Sequence, residues 1–174
     1  MIKQNSSTSI MRKHWENLLV HHSVKKIMWR NVFLYAFFPL IIGVIYGWFS
    51  YQEEHATSML SFGFLAAILA VVGMIMLKEV TRDTAQMYSK HDNYTETEWL
   101  LGDHLKTNVN YIVVMSISMI MLAVVQNGIT MFSPTLIIVS IINTIIVAGV
   151  INICLVMMLV LKQFRAIHTA IYVP

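Results

Sequence analysis

The sequence predicts an all-α integral membrane protein with four transmembrane helices, a cytoplasmic N-terminal amphipathic helix and a cytoplasmic helical hairpin between spans two and three. Of its 174 residues, 57% are hydrophobic and only 12% are charged, whereas a soluble domain usually carries about 25% charged residues. The apolar residues form four long runs without Asp, Glu, Lys, Arg or His. All twelve Lys and Arg lie outside these runs, so we expect the runs to be buried in a bilayer.

The N-terminal segment, residues 1–30, precedes the first run and is predicted to be a cytoplasmic amphipathic helix with Thr8 or Ser9 as its cap. Its apolar residues share one helical face: Met11, Trp15, Leu18, Leu19 and Trp29. Its basic residues flank that face: Arg12, Lys13, Lys25, Lys26 and Arg30. Such a helix binds an anionic inner leaflet or docks onto a partner protein, and both interpretations stay open.

Four runs are long enough to cross the bilayer, because a helix needs about 20 residues to span a hydrocarbon core of ~30 Å. They are residues 31–50, 58–77, 109–131 and 134–161. They group into two pairs of spans, 31–77 and 109–161. Barrel strands alternate apolar and polar residues over about ten positions, whereas these runs are continuous. The fourth run exceeds the required length, which predicts a tilt or a projection into the cytoplasm.

The central loop, residues 78–108, is predicted to be a cytoplasmic helical hairpin. Span two continues toward Tyr88, a polar turn follows, and Thr95 with Glu98 forms a capping box before Trp99. The loop also holds two adjacent pairs of potential metal ligands: His91, Asp92, Asp103 and His104. Sequence neighbours do not share a helical face, so we predict a solvated hairpin without metal or cofactor.

The distribution of basic residues predicts the orientation, since Lys and Arg are retained on the cytoplasmic side. The N-terminal segment, the central loop and the C-terminal tail, residues 162–174, hold all twelve basic residues. The two remaining loops hold none. We therefore predict a multi-pass protein of the inner (plasma) membrane with both termini in the cytoplasm.

Small residues mark candidate helix contacts within the spans, because close backbone approach stabilises helix pairs in lipid. Span one contains Gly43 and Gly47 at a spacing of four, after Pro39. Span two contains a seam that includes Gly63, Ala70 and Gly73. These residues serve either packing within one chain or contacts between copies in a homo-oligomer.

Span four places Asn143 and Asn152 near the middle of the membrane. Nine residues at about 100° each rotate the helix by roughly 180°, so the two amides are predicted on opposite faces. Three interpretations remain: hydrogen bonds between helices, a polar oligomer interface, or the lining of a pore.

The sequence contains no phosphate-binding loop, nucleophile motif or zinc-protease motif, and no nucleic-acid-binding signature. Proton-driven transport usually requires ionisable residues within the membrane, which the runs lack. We predict a non-enzymatic membrane subunit, with partners that include anionic lipid, a cytoplasmic protein and itself. Residues expected to contact the membrane surface or that protein are Arg12, Lys13, Trp15, Lys25, Lys26 and Trp99.

Four-span proteins of this size occur among bacteriocin immunity proteins, holins and membrane components of phage-defence systems, which is an analogy of size and topology alone. We expect the chain to anchor or organise a cytoplasmic partner as a homo-oligomer, for example as the membrane component of a bacterial defence or immunity system. The alternative is a small oligomeric channel or permeabilising effector of the holin or toxin type.

Overall fold

The computed structural model describes residues 7–21, 26–27, 29–52, 59–89, 96–132 and 136–172. Four helical segments in this part of the chain are long and apolar enough to cross a membrane: Trp29–Gln52, Leu60–Ala85, Gly102–Thr130 and Ile137–Arg165. They contain the predicted spans apart from end residues 58–59, 131 and 134–136. The part of the fold prediction that concerns four apolar helices is therefore confirmed.

The N-terminal segment is shorter as a helix than predicted. Helix α1 is Ser7–Leu19, and it is followed by two short antiparallel strands, β1 (Val20–His21) and β2 (Lys26–Ile27). The expectation of one helix over residues 1–30 was wrong at residues 20–21 and 26–27. The β-branched residues around this point favour extended backbone, and they interrupt the apolar helical stripe.

The first span is built from three consecutive helical pieces. Helix α2 (Trp29–Val32) leads into a π-helical turn, Phe33–Phe37, and then into α3 (Phe38–Gln52). The π-turn lies directly before Pro39, which has no backbone N–H and cannot bond the carbonyl four residues earlier. The π-turn therefore ends two residues before the one proline of this span.

The other three helices extend well beyond a bilayer core. Helix α4 is Leu60–Ser89, α5 is Glu96–Phe132 and α6 is Leu136–Tyr172. At 1.5 Å per residue they are about 45 to 55 Å long, against ~30 Å of hydrocarbon. Span two does continue as a helix past Tyr88, as predicted. The tail at residues 162–172 is also helical, because neither Gly nor Pro interrupts α6 there.

The spans alternate in direction, and α6 lies between α3 and α5. Gly43 of α3 approaches Ala148, and Met119 of α5 contacts Gly149. Helix α4 packs along α5, where Gly63 approaches Ala123. Half of the apolar stretch of α6 is buried, compared with 17% for the first span. Helix α6 is therefore the central helix of the bundle.

The outer surface of the bundle is apolar along the spans. Examples at α3 and α4 are Trp48, Phe49, Phe64 and Ile75, which are 58 to 70% exposed. Soluble monomers rarely expose contiguous apolar patches of this kind, so this surface is suited to lipid. Helix α1, the end of α4, the start of α5 and the end of α6 lie together at one end, here called the α1 end.

Candidate functional site

A buried polar network joins α1 to the rest of the bundle. His14 of α1 is 0% exposed, and its Nδ1 lies 2.8 Å from Oδ1 of Asn108 on α5. The amide of Asn108 donates to Oε1 of Gln163 on α6 at 3.0 Å. Because the oxygen of Asn108 faces the imidazole, we assign the Nδ1 proton to His14 as the donor. One asparagine therefore connects three helices.

Aromatic stacking reinforces this junction. The His14 ring stacks on Tyr111 with centroids 3.7 Å apart and planes at 11°, and Trp15 meets the His14 ring edge-on at 5.5 Å. Edge-to-face ring pairs such as His14 and Trp15 add about 0.5 to 1.5 kcal/mol beyond their buried area. The face of α1 that carries His14 and Trp15 is thus directed at α5 of the same chain.

The network continues from Tyr111 into the spans. The phenol of Tyr111 donates to Oδ1 of Asn152 at 2.8 Å, and Nδ2 of Asn152 donates to the backbone carbonyl of Tyr35 at 2.6 Å. Tyr35 precedes Pro39 by four residues, so its carbonyl is the one that the proline cannot bond. Neighbouring helices commonly satisfy such carbonyls in membranes. Asn152 does so here and fixes the π-turn against α6.

Burial sets the charge state of His14. Desolvation lowers the pKa of the imidazole from 6.5 to about 4, and the hydrogen bond to Asn108 opposes this effect only in part. Its Nε2 is buried and has no hydrogen-bond partner. His14 is therefore neutral at pH 7, and a proton added at Nε2 would lie in a site with no acceptor.

The rim of the junction is polar and exposed. Lys13 Nζ lies 2.9 Å from Oδ2 of Asp103, and both side chains are about half exposed. A small pocket of about 150 Å³ lies beside this pair, between α1 and α5. Among the described residues, no group of three or more His, Cys, Asp or Glu side chains comes together. What the arrangement can do is hold α1 rigidly on the bundle.

The predicted small residues face neighbouring helices of the same chain. Gly43 and Gly47 lie against α6, where a Cβ at Gly47 would collide with the Thr144 hydroxyl. Both Gly63 and Gly73 of α4 face α5, where Gly73 lies beside Ile112 and Val113. Ala70 is 4% exposed. All five are therefore buried within the bundle of one chain.

Both asparagines of α6 have partners within the chain. Asn143 donates to the hydroxyl of Ser50 on α3 at 2.9 Å, and Asn152 bonds Tyr111 and Tyr35 as described. We expected opposite faces and considered that one amide would point to a second copy. Because α6 is the central helix, two of its faces meet neighbouring helices, and both amides are used inside the bundle.

The residues predicted to contact the membrane surface or a partner are only partly described. Arg12 is exposed and forms an i,i+4 pair with Glu16, and Lys13 pairs with α5. Lys25 lies outside the described residues. Lys26 is in β2 and Trp99 is in α5, but their side chains fall outside the described set. His91 and Asp92 also lie outside the described residues.

Sequence reasoning missed the residues that form the junction: His14, Asn108, Tyr111 and Gln163. A signal for His14 was present, since it follows Met11 by three residues and lies beside Trp15 on the apolar face of α1. A histidine inside an apolar helical stripe indicates a buried polar contact. The partner residues on α5 and α6 are polar positions at the ends of apolar runs and carry no comparable signal.

Comparisons with known proteins give no relative: no protein-family model, curated protein or solved structure matches this chain.

Proposed function

We propose that this chain is a non-enzymatic, four-span membrane subunit whose α1 end is a docking platform for a cytoplasmic protein. The observation that carries the proposal is the locking of α1 onto α5 and α6 through His14 and Asn108. A rigid surface loses less conformational entropy on binding than a mobile one. A fixed surface outside the membrane spans is therefore suited to binding another protein.

The distribution of chain mass supports the same proposal. Helices α4, α5 and α6 continue past their apolar stretches at the α1 end. At the opposite end, the sequences between the helices are only residues 53–59 and 133–135. A partner that needs a large contact area has its surface at the α1 end.

The proposed orientation places the α1 end in the cytoplasm and the chain in the inner (plasma) membrane of a bacterium. It rests on the twelve Lys and Arg, none of which lies in the two short loops. The exposed charges that a partner would meet include Arg12, Lys106 and Arg165. Electrostatic complementarity to such a surface favours a partner with an acidic face.

Homo-oligomerisation and the channel alternative remain predictions with less support. The small residues and the asparagines that motivated them are used within one chain. A homo-oligomer would have to use the exposed apolar surface instead, and a pore would have to form between copies. Sealed liposomes containing the protein test the channel directly: retention of ions and dyes would exclude it.

Co-purification from the native cell in mild detergent, followed by native mass analysis, tests the docking function. We expect one cytoplasmic protein in a fixed ratio to the chain. Replacing the exposed pair Arg12→Gln and Lys106→Gln should abolish its recovery, whereas Gln52→Glu at the far end should not. Recovery of the chain alone, or equal loss in the far-end control, would contradict the proposal.

A further inference from the structure

A groove of about 690 Å³ lies between the first span and α6, near the α1 end. Its volume falls in the range of about 300 to 1,000 Å³ that is typical of ligand sites. Two cations, Arg30 and Lys162, lie among its lining residues, and its apolar lining includes Leu34, Leu155 and Leu159. None of the residues that line it is acidic.

One wall of the groove is a regular face of α6, and the other wall spans α2 and the π-turn. Leu155, Leu159 and Lys162 follow one another at steps of three or four residues along α6, so they share one face. Arg30 and Leu34 have the same spacing across α2 and the π-turn. The bond from Asn152 to the Tyr35 carbonyl holds the π-turn against α6. The shape of the groove therefore follows from the irregular turn before Pro39.

The chemistry of the groove changes along its length. Lys162 follows the apolar stretch of α6, and Arg30 precedes the apolar residues of the first span, so both cations lie where a headgroup layer would be. Within the part of the chain that the structure describes, neither cation forms an ion pair with a carboxylate. The apolar side chains continue from them toward the middle of the spans.

We propose that this groove binds one anionic glycerophospholipid. The phosphate headgroup lies between Arg30 and Lys162, and an acyl chain covers Leu34, Leu155 and Leu159. Basic pockets between helices at a membrane surface are suited to anionic headgroups. A free phosphate ion would satisfy the cations but leave the apolar wall without contacts, which forfeits dispersion energy. A zwitterionic lipid would cover the apolar wall of the groove without neutralising the two cations.

The charge contribution can be tested with matched variants of the full chain. Each basic side chain near an anionic surface contributes about fivefold to binding, so two contribute about 30-fold. We expect Arg30→Gln with Lys162→Gln to weaken binding of phosphatidylglycerol by about this factor. Lys78→Gln with Lys106→Gln removes the same charge from exposed sites outside the groove and should leave binding within twofold. Native mass analysis after titration of the lipid into detergent micelles gives the affinities.

The apolar contribution needs a separate variant. Leu159→Trp fills the groove without changing its charge, so it should also weaken phosphatidylglycerol binding by at least about tenfold. Phosphatidylcholine with the same acyl chains should bind at least tenfold more weakly than phosphatidylglycerol to the unmodified chain. Inorganic phosphate and glycerol phosphate at equal concentration should not displace the lipid.

Several outcomes would overturn the proposal. One is equal affinity for phosphatidylglycerol and phosphatidylcholine. Another is an equal loss of phosphatidylglycerol affinity in the Lys78→Gln and Lys106→Gln control. The third is displacement of the lipid by phosphate alone, which would indicate a simple anion site. Folding is checked by the melting temperature in phosphatidylcholine. If the double variant does not fold, Lys162→Gln alone should still lower the affinity about fivefold, and an unchanged affinity would refute the assignment.

Discussion

Acidification should release α1 from the bundle through protonation of His14. The pKa of the docked imidazole is about 4, whereas that of an exposed histidine is 6.5. The docked state therefore favours the neutral ring, and the undocked state accepts a proton more readily. The contribution of His14 to docking is complete above about pH 6.5 and is lost as the pH falls toward 4.

The magnitude follows from these two values. Each pH unit between them costs about 1.36 kcal/mol. When the pH falls from 7.5 to 5.0, about 1.5 units of that fall lie below the pKa of the undocked imidazole. Docking should therefore weaken by about 2 kcal/mol. The undocked population of α1 should then rise by about 30-fold. Over the same interval the Nδ1 donor to Asn108 is unchanged, because the added proton goes to Nε2.

Amide hydrogen exchange of the α1 peptide, in detergent and corrected for intrinsic rates, measures this opening. We expect the opening equilibrium constant of α1 to be about 30-fold larger at pH 5.0 than at pH 7.5. The control is His14→Asn, which keeps a donor toward Asn108 and does not titrate. It should lower docking at both pH values but show less than about a twofold pH effect. Lys13, Asp103 and His104 remain in both proteins, so they cannot account for the difference.

The result that refutes the reasoning is an equal pH response in the two proteins, or none in either. An equal response would assign the pH dependence to other groups at the α1 end. No response would mean that water reaches Nε2 in the docked state, so that burial does not oppose its protonation.

Three further predictions concern the packing. Asp103→Asn should raise the opening equilibrium constant of α1 at pH 7.5 by less than about fivefold, because its ion pair is half exposed and such pairs contribute about 1 kcal/mol at most; a larger effect would contradict this. Gly47→Ala should destabilise the bundle in thermal unfolding by about 1 to 3 kcal/mol relative to the control Gly128→Ala. The new Cβ at residue 47 meets the Thr144 hydroxyl, whereas the new Cβ at residue 128 meets no neighbouring atom. Equal melting temperatures would exclude that contact. Asn152→Leu should lower the melting temperature more than Asn143→Leu, because it loses two hydrogen bonds of about 0.6 kcal/mol each rather than one; the reverse order would contradict the network.

The four spans could be predicted because hydropathy and the absence of charge measure transfer into lipid. The neighbours of each span could not, because both lipid-facing and core-facing side chains are apolar in a membrane. Ile145 is 48% exposed, whereas the adjacent Ile146 is fully buried. Nothing in the residue type separates them. The central position of α6, and hence the use of both its asparagines inside the bundle, follows only from the three-dimensional packing.

The N-terminal helix could be predicted in type but not in contact. Its apolar stripe indicated a surface to cover, and a bilayer or a partner protein explains such a stripe equally well. In the structure α1 is covered by α5, which presents Tyr111 and Asn108 to it. A helix of the same chain is always available at high effective concentration, so docking onto it needs little affinity.

One missing backbone donor links the first span to α1. Pro39 has no N–H to donate to the Tyr35 carbonyl, and in lipid an unsatisfied carbonyl is costly. Asn152 satisfies it through its amide nitrogen. The oxygen of the same amide then accepts from Tyr111, which fixes the ring on which His14 stacks. The position of α1 therefore depends on a proline in a different helix, through contacts that run continuously across α6 and α5.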